Sequence, residues 1–214
     1  MDINVAHQET GNDELERLAL EECFKRRRHS NPTNVFITPA GHCELAIKFA
    51  HLGAQVDLAD RSDYAQEIEG RILASNHRDQ IHFIGKLLNE VDEPLPSEPY
   101  DIVFIRRGLC SLPYAEAKQR VRRMLQKLKI GGRIYISILG LHSELGDGYS
   151  AIDEPIAQRF GKLAPEMRNK YSIDKDVCLY TERDLFMLLL ESGATVLRTM
   201  TTSYGSVKAV GGRT

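Results

Sequence analysis

The chain of 214 residues is long enough for one α/β domain with a sizeable core, and its 42% hydrophobic and 27% charged residues are ordinary for a globular protein. A net charge of −2 excludes a general electrostatic attraction to nucleic acid or to an anionic membrane. No apolar run approaches the roughly 18 residues of a membrane span, so no membrane association is predicted.

The four cysteines, Cys23, Cys43, Cys110 and Cys178, lie far apart and form no C-x-x-C pair. This spacing argues against a zinc site, so no metal is predicted, and it favours reduced thiols in a cytosolic protein. Residues 1–12 form a polar tail without the apolar core of an export signal. A cytoplasmic location is therefore expected.

The first predicted helix begins at Asp13, which can cap it. Its apolar face comprises Leu15, Leu18, Ala19 and Cys23. The basic run at 25–29 ends the helix, where cations suit the negative end of the helix dipole. This run is either a solvated helix terminus or a binding site for an acidic partner.

The most informative stretch is residues 34–60. A run of β-branched and aromatic residues at 34–38 predicts a strand buried on both faces. Residues 39–41 break the periodicity, as a tight turn does, and apolar residues then recur with helical spacing over 44–52. Gly53 follows where a helix C-cap belongs.

A second strand, 55–59, closes this stretch and ends at Asp60. Strand, turn, helix, strand and acid together form the βαβ unit of a nucleotide-binding fold. In that unit the carboxylate at the tip of the second strand accepts hydrogen bonds from a ribose diol.

The middle of the chain continues the alternation of helices and strands. Periodicity predicts helices at 62–75 and 115–128, and strands at 81–84 and 101–105. The double glycine Gly131-Gly132 predicts a sharp reversal in which a helix stops and the fifth strand begins.

The last part of the chain begins with a glycine-rich region, 139–149, which carries His142. A helix is predicted at 152–163, followed by a polar segment. Thr181 is predicted to cap a helix at 182–191. Strands at 194–199 and 206–210 would form an antiparallel hairpin.

The layout resembles the class I S-adenosylmethionine-dependent methyltransferases. That family has an acid and then alternate glycines after the first strand, and this sequence has Ile37 at the acid and Pro39, Gly41 and Cys43 at the glycines. Asp60 matches the second acid, nineteen residues after Gly41 and near the expected spacing of about 20. The double glycine and the Tyr100-Asp101 pair also match, so the layout agrees while the glycine-rich motif is divergent.

The resemblance implies a Rossmann-like, doubly wound α/β sheet, mostly parallel with a C-terminal antiparallel hairpin and with helices on both faces. It also implies that the helix before the first strand covers the active site. We therefore divide the chain into a tail and covering helix, 1–33, and a methyltransferase-like domain, 34–214. The implied cofactor is S-adenosyl-L-methionine, with S-adenosyl-L-homocysteine as its product.

Ligands of such a sheet bind beyond the carboxyl ends of its strands, where the strand order reverses. The candidate cofactor-binding residues are those that fall there: Thr38, Gly41, His42, Asp60, Arg61, Lys86, Leu87 and Arg106. For Gly41 the alternative is a turn glycine without a ligand, and for Asp60 an ordinary cap. Lys86 and Leu87 stand where the family often has an acid that contacts adenine.

The candidate catalytic residues are His142 and Tyr149, because methyl transfer sometimes needs a base that removes one proton from the acceptor. Arg107 and Tyr171 are the candidate substrate-binding residues. Arg106 and Arg107 could instead form structural ion pairs with nearby acids. Cys110 is a small buried residue or a nucleophile, and the sequence favours the first.

The predicted function is methyl transfer to a small, anionic acceptor. No Asn-Pro-Pro-Tyr-type sequence follows the fourth strand, which argues against nucleic acid as the acceptor. Two alternatives remain: a protein of this fold that no longer catalyses and serves as a binding or regulatory subunit, and a loop that accepts a different nucleotide-like ligand. A protein partner or a homodimer is left open.

Overall fold

Among the described residues, a seven-stranded sheet forms the centre of the protein, with the strand order β3-β2-β1-β4-β5-β7-β6. The computed structural model describes residues 13–27, 32–86 and 95–214. Strands β1 to β5 are parallel to their neighbours, whereas β7 pairs antiparallel with both β5 and β6. The strands are β1 (Asn34–Thr38), β2 (Gln55–Ala59), β3 (Ile81–Ile84), β4 (Tyr100–Arg106), β5 (Leu128–Ile138), β6 (Thr195–Thr201) and β7 (Val207–Gly212).

Helices cover both faces of the sheet. They are α1 (Glu14–Arg27), α2 (Glu44–His51), α3 (Ala65–Ala74), α4 (Tyr114–Lys127), α5 (Pro165–Tyr171) and α6 (Glu182–Ser192). Apolar residues of α1, α2 and α3 form the core on one face, and those of α4 and α6 form the core on the other. The fold class predicted from the sequence is confirmed.

The predicted βαβ unit is confirmed almost residue for residue. Strand β1 is buried over its last four residues, as the apolar run requires, and it lies between β2 and β4. Gly53 follows the last turn of α2 with φ +80°, a conformation that costs glycine little.

Two helix caps also match the sequence. Asp13 accepts a hydrogen bond from the N–H of Leu15 at 2.9 Å, which caps α1. The Thr181 hydroxyl accepts from the N–H of Asp184 while the Asp184 carboxylate accepts from the N–H of Thr181, a complete capping box for α6.

One predicted boundary and one predicted helix are wrong. Helix α4 ends at Lys127, and the double glycine lies inside β5, where the N–H of Gly131 is hydrogen-bonded to Arg213 O. The predicted helix at 152–163 consists of turns instead. Arg159 holds these turns by donating to Glu154 O at 3.0 Å and to the Asp184 carboxylate at 2.7 Å.

Other sequence predictions fall partly outside the described residues. These include the tail, the last two residues of the basic run at 25–29, and Leu87. Within that run, Arg26 donates to the Glu22 carboxylate at 2.7 Å and to Gly131 O at 2.6 Å. The structure contains, in the parts it describes, no helix of the length and apolarity that a bilayer span requires.

Candidate functional site

The candidate site lies at the carboxyl edge of the sheet, where β1 and β4 are neighbours. After β1 the chain continues to β2 and β3 on one side of this pair, and after β4 it continues to β5 on the other side. Because the loops leaving β1 and β4 therefore diverge, a crevice opens between them, as at the switch point of other doubly wound sheets. The residues at this edge come from the ends of five parallel strands.

Asp60 joins the tips of β1 and β2. Its Oδ2 accepts a hydrogen bond from the N–H of Ala40 at 2.9 Å, and its Oδ1 accepts one from the N–H of Arg61 at 2.8 Å. The carboxylate is buried, with 6% of the residue exposed. Asp60 thereby fixes the loop that leaves β1.

That loop has an unusual backbone. The Thr38–Pro39 peptide bond is cis, and both Gly41 and Cys43 have positive φ, at 54° and 62°. The N–H of Cys43 donates to Ala40 O at 3.1 Å and closes the turn. A Cβ placed on Gly41 would meet no heavy atom of the described residues within 4 Å, so the space above this glycine is open.

Two loops meet at the floor of the crevice. A Cβ on Gly108, which follows β4, would lie 3.6 Å from Pro39 Cδ, so the two residues pack together. Ile37, at the position of the first acid in the related motif, is buried in the core with 3% exposed. The divergent residues of the motif are therefore apolar contacts in this chain.

The two arginines after β4 have different environments. Arg106 forms an ion pair with Glu16 of α1, and its guanidinium lies 5.8 Å from the centre of the Phe104 ring. Arg107 is buried, has φ +57°, and donates its N–H to Ser137 O at 2.6 Å. A positive φ at a non-glycine residue costs free energy, and such residues cluster at functional sites. Asn76 and Ser172, at the ends of α3 and α5, also have positive φ.

Helix α1 packs on one face of the sheet, and acids of its first turn hold its N-terminal end near the carboxyl edge. Asp13 pairs with the buried Lys208 of β7 at 3.0 Å, and Glu14 pairs with Arg198 of β6 at 2.7 Å. Glu16 completes the set, because it pairs with Arg106 and with Lys48.

The remaining cofactor candidates lie around this edge. Thr38 is buried at the end of β1, whereas His42 is exposed on the loop that follows. Arg61 forms an ion pair with Asp63. Lys86 is exposed and its N–H donates to Ile84 O at 2.8 Å.

The candidate acceptor residues do not come together at one point. His142 is exposed in the turn after β5. In the same turn the Ser143 hydroxyl donates a hydrogen bond to Gly140 O at 2.7 Å. Tyr149 is buried and donates its hydroxyl to Val177 O at 2.6 Å, and burial raises its pKa. Tyr171 is half-buried at the end of α5.

Comparisons with known proteins agree with this fold. The sequence matches no protein-family model and no curated protein. The solved structure of 1,6-didemethyltoxoflavin-N1-methyltransferase from Burkholderia thailandensis, with its substrate and S-adenosylhomocysteine bound, superposes with a TM-score of 0.63 at 16% identity, covering 95% of this chain and 80% of that chain. A "possible exported protein" from Bordetella parapertussis superposes with a TM-score of 0.65 at 20% identity, covering 98% and 77%.

A third similar structure is the apo form of the S-adenosylmethionine-dependent methyltransferase SibL, with a TM-score of 0.61 at 15% identity over 92% of this chain. The chain has the fold of S-adenosylmethionine-dependent methyltransferases. It spans just over half the length of SibL, 55%.

The loop that leaves β1 lies at the switch point of the sheet, where doubly wound folds bind their ligands, and the residues present are compatible with an adenosyl group. Gly41 leaves open space beside the backbone. The Asp60 carboxylate lies beside this space at the tip of β2, and a carboxylate there is the kind of acceptor that a ribose diol needs.

Cys110 is a buried residue of this methyltransferase fold. Its Sγ accepts a hydrogen bond from the N–H of Leu139 at 3.1 Å, and burial raises the pKa of the thiol to about 12. Because the thiolate is the nucleophilic form, the structure gives Cys110 no such role at neutral pH.

The sequence did not identify Glu16 as the partner of Arg106 or Asp13 as the partner of Lys208. These residues are 90 and 195 positions apart in the chain, so no local pattern links them. The only available signal was the acidic first turn of α1, which is also what the dipole of any helix favours.

Proposed function

We propose that this protein transfers a methyl group from S-adenosylmethionine to a small, anionic acceptor. The observation that carries the proposal is the pairing of Asp60 with the Ala40 N–H beneath the open space at Gly41. It puts a carboxylate and an unobstructed backbone side by side at the switch point of a methyltransferase fold. The 1,6-didemethyltoxoflavin bound in the Burkholderia enzyme supports a small molecule as the acceptor.

Gly41 and Asp60 would hold the cofactor, with Gly41 beside its methionyl part and Asp60 on its ribose. The first turn of α2 lies next to Gly41, and its N-cap residue, Cys43, makes no side-chain cap. Its N–H groups and the positive end of the helix dipole suit the cofactor's carboxylate. When bound, S-adenosylmethionine supplies an electrophilic methyl group on a sulfonium centre.

Arg107 would bind the anionic group of the acceptor. It follows β4, the central strand, and it is buried with 6% exposed, so a ligand anion there would be shielded from bulk water. The planar guanidinium also suits bidentate contacts with a carboxylate. Its strained backbone fits a functional role.

His142 would accept the proton that the acceptor loses as its oxygen or nitrogen bonds to the methyl carbon. It lies on the loop after β5, the strand next to that of Arg107, and an imidazole nitrogen is a common proton acceptor in catalysis. Tyr149 is not included in this role, because its hydroxyl is buried and donated to Val177 O. Tyr171, half-buried on α5, would form part of the wall of the acceptor site.

The test is binding of S-adenosylhomocysteine. A ligand present at about 100 times its Kd stabilises the folded state by roughly 2.7 kcal/mol, which raises the melting temperature. Asp60→Ala should abolish this increase, measured against the variant's own melting temperature without ligand. Asp63→Ala, at an exposed acid of the adjacent turn, is the matched control and should retain it. No stabilisation of the folded wild type would contradict the proposal.

A non-catalytic binding role is the second candidate, and the burial of Ile37 at the acid position favours it. This role predicts a protein that folds normally, is not stabilised by S-adenosylhomocysteine and transfers no methyl group. Stabilisation by another nucleotide would favour the third possibility, a different nucleotide-like ligand. For any of these roles we propose a cytoplasmic location, which the four buried free thiols support.

A further inference from the structure

Strand β6 forms one edge of the sheet. Among the described residues it hydrogen-bonds to β7 only, so the outer side of Thr195–Thr201 presents backbone N–H and C=O groups. Such an edge is a template for another strand, and natural proteins usually block it with charged side chains, proline, a β-bulge or a covering element. This strand contains no lysine and no proline, and its one charged residue, Arg198, pairs with Glu14 of the same chain. A bulge at Leu197 interrupts its pairing with β7, and the register is regular from Arg198 to Thr201.

Exposed apolar side chains flank this edge on the α6 face. Glu182, at the start of α6, accepts hydrogen bonds from Thr199 and Thr201 of β6, both at 2.8 Å. Phe186 and Leu190 follow Glu182 at four-residue intervals, so they lie along the same side of the helix, above β6. They are 40% and 51% exposed.

An exposed leucine flanks the same edge on the opposite face. Leu197 is 52% exposed, and its Cδ1 lies 3.6 Å from the position of a Cβ on Gly212. A Cβ on the preceding residue, Gly211, would contact Leu189 of α6 at 3.2 Å. Since neighbouring residues of a strand point to opposite faces, Gly212 and Leu197 lie on the face away from α6.

We propose that this edge, defined by Thr195–Thr201 with Phe186, Leu190 and Leu197, is the interface of a homodimer. Two copies related by a two-fold axis would pair their β6 strands antiparallel and form one continuous sheet. The α6 helices would then lie side by side on one face, and each Phe186 and Leu190 would face those of the partner.

The helix layer decides between a second copy and an extended peptide. A peptide added to β6 would satisfy the strand's backbone groups, but it lies in the plane of the sheet. Phe186 and Leu190 stand one layer above that plane, on α6. A partner that covers them needs its own helix at the same height beside its own edge strand, and a second copy supplies both. The Arg198–Glu14 pair in each copy keeps the charge at the junction balanced.

The experiment measures the mass of the full chain by sedimentation equilibrium and light scattering from micromolar to sub-millimolar concentration. The wild type is expected to be a dimer, and Leu190→Lys with Leu197→Lys should raise the dimer dissociation constant by roughly tenfold or more. Leu73→Lys is the matched control, because Leu73 is also an exposed leucine, at 66%, and lies on α3. It should leave the mass unchanged.

Two results would overturn the proposal: a wild type that is monomeric at every concentration, or a dimer with the same dissociation constant in the Leu190→Lys/Leu197→Lys variant. Circular dichroism establishes that each variant is folded. Hydrogen exchange adds an independent measurement, since the amides of β6 should become more protected as the protein concentration rises.

Discussion

A 2.9 Å hydrogen bond from the backbone N–H of Ala40 to Asp60 Oδ2 joins the loop after β1 to the tip of β2. The residue that the sequence assigns to ribose binding thus also fixes the loop on which the cofactor would rest. Replacing Asp60 therefore removes two things at once, a ligand contact and a support of the loop. Stability and binding have to be measured separately.

Asp60→Ala is expected to lower the free energy of unfolding by about 1–3 kcal/mol, because the buried N–H of Ala40 loses its acceptor. Urea unfolding monitored by circular dichroism measures this loss. Asp63→Ala should change stability little, since that carboxylate is exposed and surface ion pairs contribute little. Equal losses in the two variants would contradict the structural role of Asp60.

Gly41→Ala separates backbone strain from obstruction of the ligand. At φ +54° an alanine costs about 1–2 kcal/mol, and its methyl group enters the space proposed for the cofactor. Gly131→Ala is the matched control, because Gly131 has φ +77°, has equally open surroundings and lies at the other end of the sheet. Both variants should lose similar stability in urea.

Only Gly41→Ala should weaken the binding of S-adenosylhomocysteine, as measured by isothermal titration calorimetry. If both variants bind equally well, the ligand does not use the space beside Gly41, and that part of the proposed function is wrong.

The sequence predicted the first half of the site accurately for a physical reason. A strand buried on both faces must be apolar, and a turn with positive φ favours glycine. The residue types at 34–38 and at Gly41 therefore suffice to predict the strand and the turn. The sequence predicted only part of the role of Asp60. Its position at the end of β2 follows from the pattern, but its bond to Ala40 depends on the path of a loop that the sequence does not determine.

The two wrong predictions have different causes. The apolar residues at 152–163 have helical spacing, yet Arg159 binds backbone and Asp184 so that the segment forms turns. Likewise, glycines 131 and 132 seemed to mark the end of α4, but the chain is already extended at Leu128, where ψ is 147°. Pro155 and Gly161 also oppose a helix within the first segment. In the second, the N–H of Gly131 bonds to O of the distant Arg213, so a long-range contact overrides the local preference.

Variants of Arg106 can test whether this arginine binds the ligand or stabilises the packing of α1. In a double-mutant cycle, Glu16→Gln and Arg106→Gln should show a coupling energy of about 0.5–1 kcal/mol, as expected for a partly exposed ion pair. Chemical unfolding of the four proteins measures it. The structure therefore predicts that Arg106→Gln destabilises α1 packing.

The same variants test the role of Arg106 in cofactor binding. If Arg106 binds the cofactor, Arg106→Gln weakens S-adenosylhomocysteine binding while Glu16→Gln does not. If Arg106 only holds α1, the two variants have equal affinities. The cycle and the titration together decide between these roles, because stability and affinity respond to different contacts of the one guanidinium.

Alkaline pH should destabilise this protein through its buried thiols. Burial raises the pKa of Cys23 and Cys43 from 9.0 to about 11, and that of Cys110 and Cys178 to about 12. Below the ordinary value the thiols are protonated in both the folded and the unfolded chain, so their contribution is fully present. Above it, the unfolded chain releases protons that the folded chain retains, and the free energy of unfolding falls.

At about pH 10 each of these thiols should reduce the free energy of unfolding by roughly 1 kcal/mol relative to neutral pH. Urea unfolding at neutral and alkaline pH measures the loss. The Cys110→Ala/Cys178→Ala double variant should be less stable at neutral pH, because it loses buried side chains, but its stability should depend less on pH. An unchanged pH dependence in that variant would show that other groups cause the alkaline loss, the buried tyrosines with raised pKa values being the next candidates.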